Sequence, residues 1–202
     1  MANKSNKNSN QSSHKIPVPL ASLPAVLLPW YDREKRSLPW RDIVTPYRTW
    51  VSEIMLQQTR VQAVLPYFER FMSAAPDVPA LAELAEDRLL SLWQGLGYYS
   101  RARSLQRSAR VMVDHYGGCL PDTYSDLIQL PGIGDYTAGA ILSIAFRKAI
   151  PAVDGNVLRI AARLTACGDN VLDPRTRQHV RDALAAVMPT DRPGDFNQAM
   201  MD

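Results

Sequence analysis

The stretch 130–157, LPGIGDYTAGAILSIAFRKAIPAVDGNV, constrains the fold more than any other part of the chain. Pro131 disfavours helical backbone at Leu130, so a helix over 122–129, opened by a polar cap at Asp122 or Thr123, has to stop there. Gly132 and Gly134, one residue apart, let the backbone reverse and leave its N–H groups uncovered. A second helix begins at about Asp135 and carries Ala138, Ala140, Ile141, Ile144 and Ala145 as its apolar side, with Gly139 permitting close approach. A Gly-x-Gly turn that opens a helix can cradle a phosphate, because amide donors and the helix dipole both favour an anion. A plain helix-helix connection needs the same residues, and this stretch alone does not choose between the two.

The remaining periodic runs also repeat at helical spacing and none alternates as a strand, which predicts an all-α chain with short connections. One helix is expected over 24–36, kinked at Pro29, followed by a polar-aromatic loop, LPWRDIVTPY, that brings Trp40 and Arg41 together. Trp40 by itself reads as core; beside an arginine in a proline-bounded loop it becomes a stacking surface. Thr45 and Pro46 cap and open a helix that buries Trp50, Val51, Ile54 and Met55, with Glu53 among them. Alone, Glu53 would be a solvated flank residue. The helix breaks at Gln57-Gln58-Thr59, where Thr59 and Gln62 form a capping box, and polar side chains exposed at a break can insert into something.

The helix from Arg60 packs Val61, Val64, Leu65 and Phe68 and contains Pro66; two short helices follow over 80–85 and 87–94. GLGYYSRAR is the second Gly-x-Gly of the chain. It places Tyr98 and Tyr99 after its glycines and then Arg101, Arg103, Arg107 and Arg110 with no acid among them. Arg103, Arg107 and Arg110 share a helix face that suits backbone phosphates, or simply water. Asp154 is an N-cap for a helix over 157–167, and helices over 173–188 and 196–201 complete the pattern.

The net charge of +3 equals the three lysines of residues 1–20, Lys4, Lys7 and Lys15, so the rest balances 20 basic against 20 acidic residues and bulk charge gives no argument for nucleic acid. Residues 1–19 read as a disordered basic tail. At 46% hydrophobic and 21% charged, the remainder can bury a core, as one domain or two interleaved ones. Cys119 and Cys167 are too few for a disulfide framework or a metal site, and buried reduced thiols are expected. The segment 16–30 resembles a secretory signal, but Pro17, Pro19, Pro24 and Pro29 would break its helix. The chain is therefore read as cytoplasmic, with no membrane span, and nucleoid-associated if bacterial.

In order, LPWR, TPYRTWVSEIMLQQTRV, GLGYYSRAR, LPGIGDYTAGAI, VDGNV and FNQAMMD resemble adenine DNA glycosylases of the MutY type, within the helix-hairpin-helix superfamily of base-excision repair enzymes. The match runs over 27–202. It implies a six-helix barrel with the helix-hairpin-helix over 46–150 and a second helical domain built from 20–45 and 151–202. It also implies removal of adenine opposite 8-oxoguanine or guanine in double-stranded DNA, by a monomer. Glu53 would be the general acid and base, protonating adenine N7. Asp154 would stabilise the oxocarbenium-like sugar, with Tyr136 and Asn156 beside it. Trp40, Arg41, Leu56 and Gln198 would surround the extruded adenine. Gln58 and Tyr98 would enter the duplex, and Arg101, Gly132 and Gly134 would meet its backbone.

The chemistry fits these residue types. A base must leave the stack to be reached, and wedges fill the space it vacates. N-glycosidic cleavage, like glycoside hydrolysis, needs one carboxyl that donates a proton and another that stays charged. To donate at neutral pH, Glu53 must titrate roughly 2 pH units above the ~4.3 of a free glutamate. Superfamily members that also nick the strand carry a lysine two residues after the second hairpin glycine. Tyr136 stands there, and a phenol forms no Schiff base, so the resemblance implies a monofunctional enzyme.

Relatives of this type continue beyond FNQAMMD into four cysteines holding a [4Fe-4S] cluster and a domain that reads 8-oxoguanine. The sequence ends at Asp202, so the expectation is no cofactor within residues 1–202, an incompletely packed helix around Phe196 and a weaker preference for the opposite base. Two other readings stay open: a glycosylase/lyase similar to endonuclease III acting on oxidised pyrimidines, and a helix-hairpin-helix module that binds DNA without catalysis.

Overall fold

The computed structural model describes residues 18–202; the tail expected over 1–19 lies almost entirely outside them. Among the described residues all regular structure is helical. The chain opens with α1 (Val18–Ala21) and α2 (Leu23–Glu34), the latter unbroken through Pro29. The expected loop at LPWRDIVTPY contains a helical turn, α3 (Pro39–Asp42), because Pro39 supplies the first helical position after an extended Leu38. Arg48 holds this turn in place by donating from Nη2 to the Pro39 carbonyl (2.8 Å) and from Nε to that of Ile43 (3.1 Å).

The helix α4 (Pro46–Leu56) begins where Thr45 accepts from the Arg48 amide, as the Thr-Pro pair predicts. It is followed by α5 (Val61–Ala74), α6 (Val78–Glu83), α7 (Glu86–Trp93) and α8 (Ser100–His115). The capping box at Thr59 and Gln62 does not form: Arg60 is the N-cap of α5, and the Thr59 hydroxyl turns to the Gln57 carbonyl. The hairpin helix shortens to α9 (Tyr124–Leu127), capped by Thr123, and α10 (Asp135–Ile144) follows the turn. The chain then forms α11 (Gly155–Leu164), α12 (Pro174–Val187) and α13 (Pro193–Met201).

The buried apolar side chains fall into two clusters. One spans Leu38 to Leu142 and centres on Trp50, Phe68, Phe71 and Trp93; the other joins Leu20 to Val157, Leu158, Leu184, Phe196 and Met200. Leu38 and Trp40, placed by sequence in the second domain, belong to the first cluster. The helix around Phe196 was expected to be loosely packed, and it is not. Phe196 is 1% exposed, and α13 packs on α2, α10 and α11, so a helix near the N-terminal end and two from the middle of the chain cover it.

Two glycines set how α10 meets its neighbours. A Cβ on Gly139 would lie 2.7 Å from the Pro151 carbonyl oxygen, and one on Gly194 would lie 2.8 Å from Ile144 Cα. Asn197 completes the junction. Its Oδ1 accepts from the Ala152 amide (3.1 Å), and its Nδ2 donates to Ser143 Oγ (2.7 Å) and the Ile150 carbonyl (3.0 Å). Buried polar groups satisfied this fully fix one arrangement of the backbone. Here the segment so fixed is the one leading to Asp154.

Candidate active site

Glu53 sits near the end of α4, on the side that α10 covers, and is 7% exposed. The solvated position expected for a lone glutamate is thus ruled out by tertiary packing. Burial pushes its carboxyl up to about 7; a hydrogen bond from Tyr136 and the charge of Arg41 pull it down, while the like charge of Asp154 raises it. Tyr136, in the first turn of α10, is held neutral, since burial and the two carboxylates push its phenol well above the ordinary range. Its hydroxyl oxygen also lies 3.3 Å from Met201 Sδ.

Asp154 arrives from the opposite side as the N-cap of α11. Oδ1 accepts from the amides of Asn156 (2.9 Å) and Val157 (2.8 Å), and Oδ2 accepts from Asn156 Nδ2 (3.0 Å). Three donors thus converge on this carboxyl at a helix N-terminus. The site thus contains two carboxyls in unlike surroundings, one desolvated and one capped.

Glu53, Tyr136 and Asp154 share the wall of a cavity of about 270 Å³, near the lower end of ligand-pocket sizes. Trp40, Arg41, Leu56 and Gln198 close it, so all four residues assigned by sequence to a base pocket lie on one hollow with the two carboxyls. Trp40 is also core, as its edge-on contact with Phe68 (centroids 5.2 Å apart) shows. Arg41 is fixed from behind: its two terminal nitrogens donate to Asp202 (2.7 and 3.0 Å), and Arg36 pairs with the same carboxylate. Those hydrogen bonds outweigh burial and leave Asp202 below the usual carboxylate range.

Two further hollows adjoin the first through Tyr136 and Asp154. One, about 710 Å³, opens at Gln58, Thr59 and Arg60; the other, about 620 Å³, runs past Gly134, Asp135, Arg177 and Arg181. The hairpin turn borders the latter. Gly132 adopts φ +82°, and a Cβ there would meet Ser104 Cβ at 2.9 Å, while Gly134 is the N-cap of α10; both are exposed. Asp135 accepts from Tyr124 Oη (2.7 Å) and from Arg181 (3.0 Å), which ties the turn to α12.

Gln58 and Tyr98 are both exposed and both left-handed, with φ +57° and +48°. A non-glycine residue in that region is costly and signals a conformation imposed by its surroundings. Arg101, expected on a DNA backbone, turns inward instead, and its two terminal nitrogens donate to carbonyls of both loops. The arginine face of α8 is also less free than its sequence implied: Arg103 pairs with Glu86 of α7 (2.8 Å), and Arg110 donates to the Ala82 carbonyl (3.2 Å).

Thr49, Ser52, Arg36 and Met201 line the main cavity and were not singled out by sequence. Thr49 and Ser52 lie four and one residues before Glu53, so helical spacing could have marked Thr49. Nothing local marks Arg36 or Met201, which reach the cavity only through packing of α13. Among the described residues no group of three or more His, Cys, Asp or Glu side chains could hold a metal ion. Cys119 is exposed and Cys167 half-buried, contrary to the expectation of buried thiols, and two thiols on separate connections do not fit a four-thiolate cluster. No described helix is long and apolar enough to cross a membrane.

A family model described as the HhH-GPD superfamily of base excision DNA repair proteins matches residues 51–187. Adenine DNA glycosylase of Mus musculus is 46% identical over 185 residues, covering 87% of this chain and 36% of that protein. The human protein of that name is 45% identical, with coverages of 87% and 34%. That of Buchnera aphidicola is 41% identical over 178 residues, with coverages of 88% and 51%. The chain thus spans between about a third and a half of the length of these curated relatives. Among solved structures, a thermostable thymine-DNA glycosylase superimposes with a TM-score of 0.81 at 24% identity, covering 91% of this chain and 85% of that one. A non-covalent endonuclease III–DNA complex gives 0.73 at 22%, with coverages of 90% and 84%. At those identities the likeness is one of fold.

Proposed function

The chain belongs to the HhH-GPD superfamily of base excision DNA repair proteins, and from that premise we propose that it carries the catalytic machinery of an adenine DNA glycosylase acting on adenine opposite 8-oxoguanine. The observation that carries this reading is the pair of carboxyls on one hollow. Glu53, held near 7, is part protonated at neutral pH and can give its proton to a leaving base, while the capped side chain of Asp154 faces the same hollow on the side left for the sugar.

The substrate is double-stranded DNA, bound by a cytoplasmic monomer. The hairpin at Gly132 and Gly134 receives a backbone phosphate, Gln58 and Tyr98 fill the space left in the stack, and the extruded adenine enters between Trp40, Leu56 and Gln198. Glu53 protonates N7, so the base departs neutral; Asp154 stabilises the oxocarbenium-like sugar until water adds. Tyr136 occupies the place where a nicking enzyme has its lysine, so the sugar is released as an abasic site without a strand break. Whatever cofactor the longer relatives carry, each of these roles falls to a residue of this chain.

Incubation with a duplex containing adenine opposite 8-oxoguanine, analysed with and without alkali, tests the proposal. Breaks that form only after alkali support it. Breaks without alkali indicate a lyase of the endonuclease III kind, and intact adenine with retained duplex binding indicates a non-catalytic module.

A further inference from the structure

The half-buried guanidinium of Arg101 touches both the loop that carries Gln58 and the loop that carries Tyr98. Nη1 donates to the carbonyls of Ile54 (2.9 Å), Met55 (2.9 Å) and Gln57, which lie at the end of α4. Carbonyls in the last turn of a helix have no partners within it, and a cation is the favoured group to receive them. Nη2 donates to Thr59 Oγ1 (3.2 Å) and to the carbonyls of Leu96 (3.1 Å) and Gly97 (3.2 Å), immediately before Tyr98. The same guanidinium stacks between Trp93 and Tyr98, at 5.5 and 5.6 Å from their ring centroids. Trp93 Nε1 adds a bond to the Gly97 carbonyl (3.1 Å).

We propose that Arg101 is a positioning residue that couples the Gln58 and Tyr98 loops into one rigid wedge and fixes that wedge to the helix bearing Glu53. This rests on the reading that both side chains enter the duplex. Their left-handed backbones carry a conformational cost that an unconstrained loop would relax, and Arg101 supplies hydrogen bonds that oppose relaxation on both sides at once. The planar guanidinium reaches two loops in fixed geometry; the compact ammonium of lysine cannot. Because Glu53 lies one residue before the first carbonyl bound, the spacing between wedge and proton donor is set by the same side chain.

Hydrogen exchange of the free protein and fluorescence of a duplex with 2-aminopurine as the target base opposite 8-oxoguanine test this in wild type and Arg101→Lys. In the variant, amides of 57–60 and 96–99 should exchange faster together by roughly tenfold, while α5 and α10 keep their protection. Base extrusion should slow by about tenfold to a hundredfold, as expected for wedges misplaced by about 1 Å. It should recover when the target faces an abasic site, where no pair has to be broken. Unchanged exchange, faster exchange throughout the domain, or an equal loss of extrusion on both duplexes would each overturn the coupling role. A wild-type protein that extrudes no base overturns the glycosylase reading instead, and the exchange comparison still decides whether Arg101 joins the loops.

Discussion

The carboxyl of Glu53 and that of Asp154 face one cavity from different helices, and the negative charge of Asp154 is one of the reasons Glu53 titrates at about 7. The two groups are therefore coupled: whatever alters Asp154 also alters the proton inventory of Glu53.

Replacing Glu53 removes the proton donor but leaves the cavity wall in place. Glu53→Gln should lower single-turnover adenine release by at least about a thousandfold while duplex affinity changes little. Gel-shift titration beside quench-flow measurement checks both. Base release at the wild-type rate would remove Glu53 from the reaction.

The raised pKa also makes stability depend on pH. Between about 4.5 and 7 the folded protein keeps a proton on Glu53 that the unfolded chain has lost, so stability falls as pH rises through this window and is level above it. The size of the penalty is about 3 kcal/mol at alkaline pH. Glu53→Gln should thus match wild type at pH 4.5 and exceed it at pH 8, as read by denaturant melts at the two pH values.

Asp154 has two jobs that different substitutions separate. Asp154→Asn keeps a side-chain oxygen for the cap and should hold the fold, whereas Asp154→Ala should cost about 1 kcal/mol. Both should lose most base release. In Asp154→Asn the loss of the neighbouring charge should also move the Glu53 titration downward, which carboxyl carbon NMR can follow.

Close packing behind the site is predicted to be intolerant of a single methyl. Gly139→Ala would press on the Pro151 carbonyl, where backbone cannot yield as a flexible side chain does. We expect a destabilisation of about 1–3 kcal/mol, measured by thermal melting. Tyr98→Gly provides the contrast: it removes an exposed ring and relieves a left-handed backbone, so the melting temperature should hold while duplex affinity falls.

Much of the local architecture was legible in the sequence. Thr45-Pro46, Thr123, Asp154 and Asp173 announce helix starts through short-range chemistry, and Pro131 with Gly132 announces the hairpin turn. Cap and turn preferences act over three or four residues, so one segment contains all the information they need. Thr59 misled for the same reason: its capping box with Gln62 was locally sound but lost to Arg101, a partner 42 residues away.

What the sequence by itself determined is therefore most of the helices, most of their caps and the residue types that suit base excision. The tertiary structure alone decided which of those residues stand together on one hollow and which are desolvated there. Glu53 reads as a surface flank until α10 covers it, and Arg101 reads as a backbone contact until two distant loops take up its donors. Arg36 and Met201 join the cavity only because α13 is buried against α2 and α10. The physical reason is that desolvation and hydrogen-bond satisfaction depend on what surrounds a side chain in space, and residues far apart in the chain supply those surroundings.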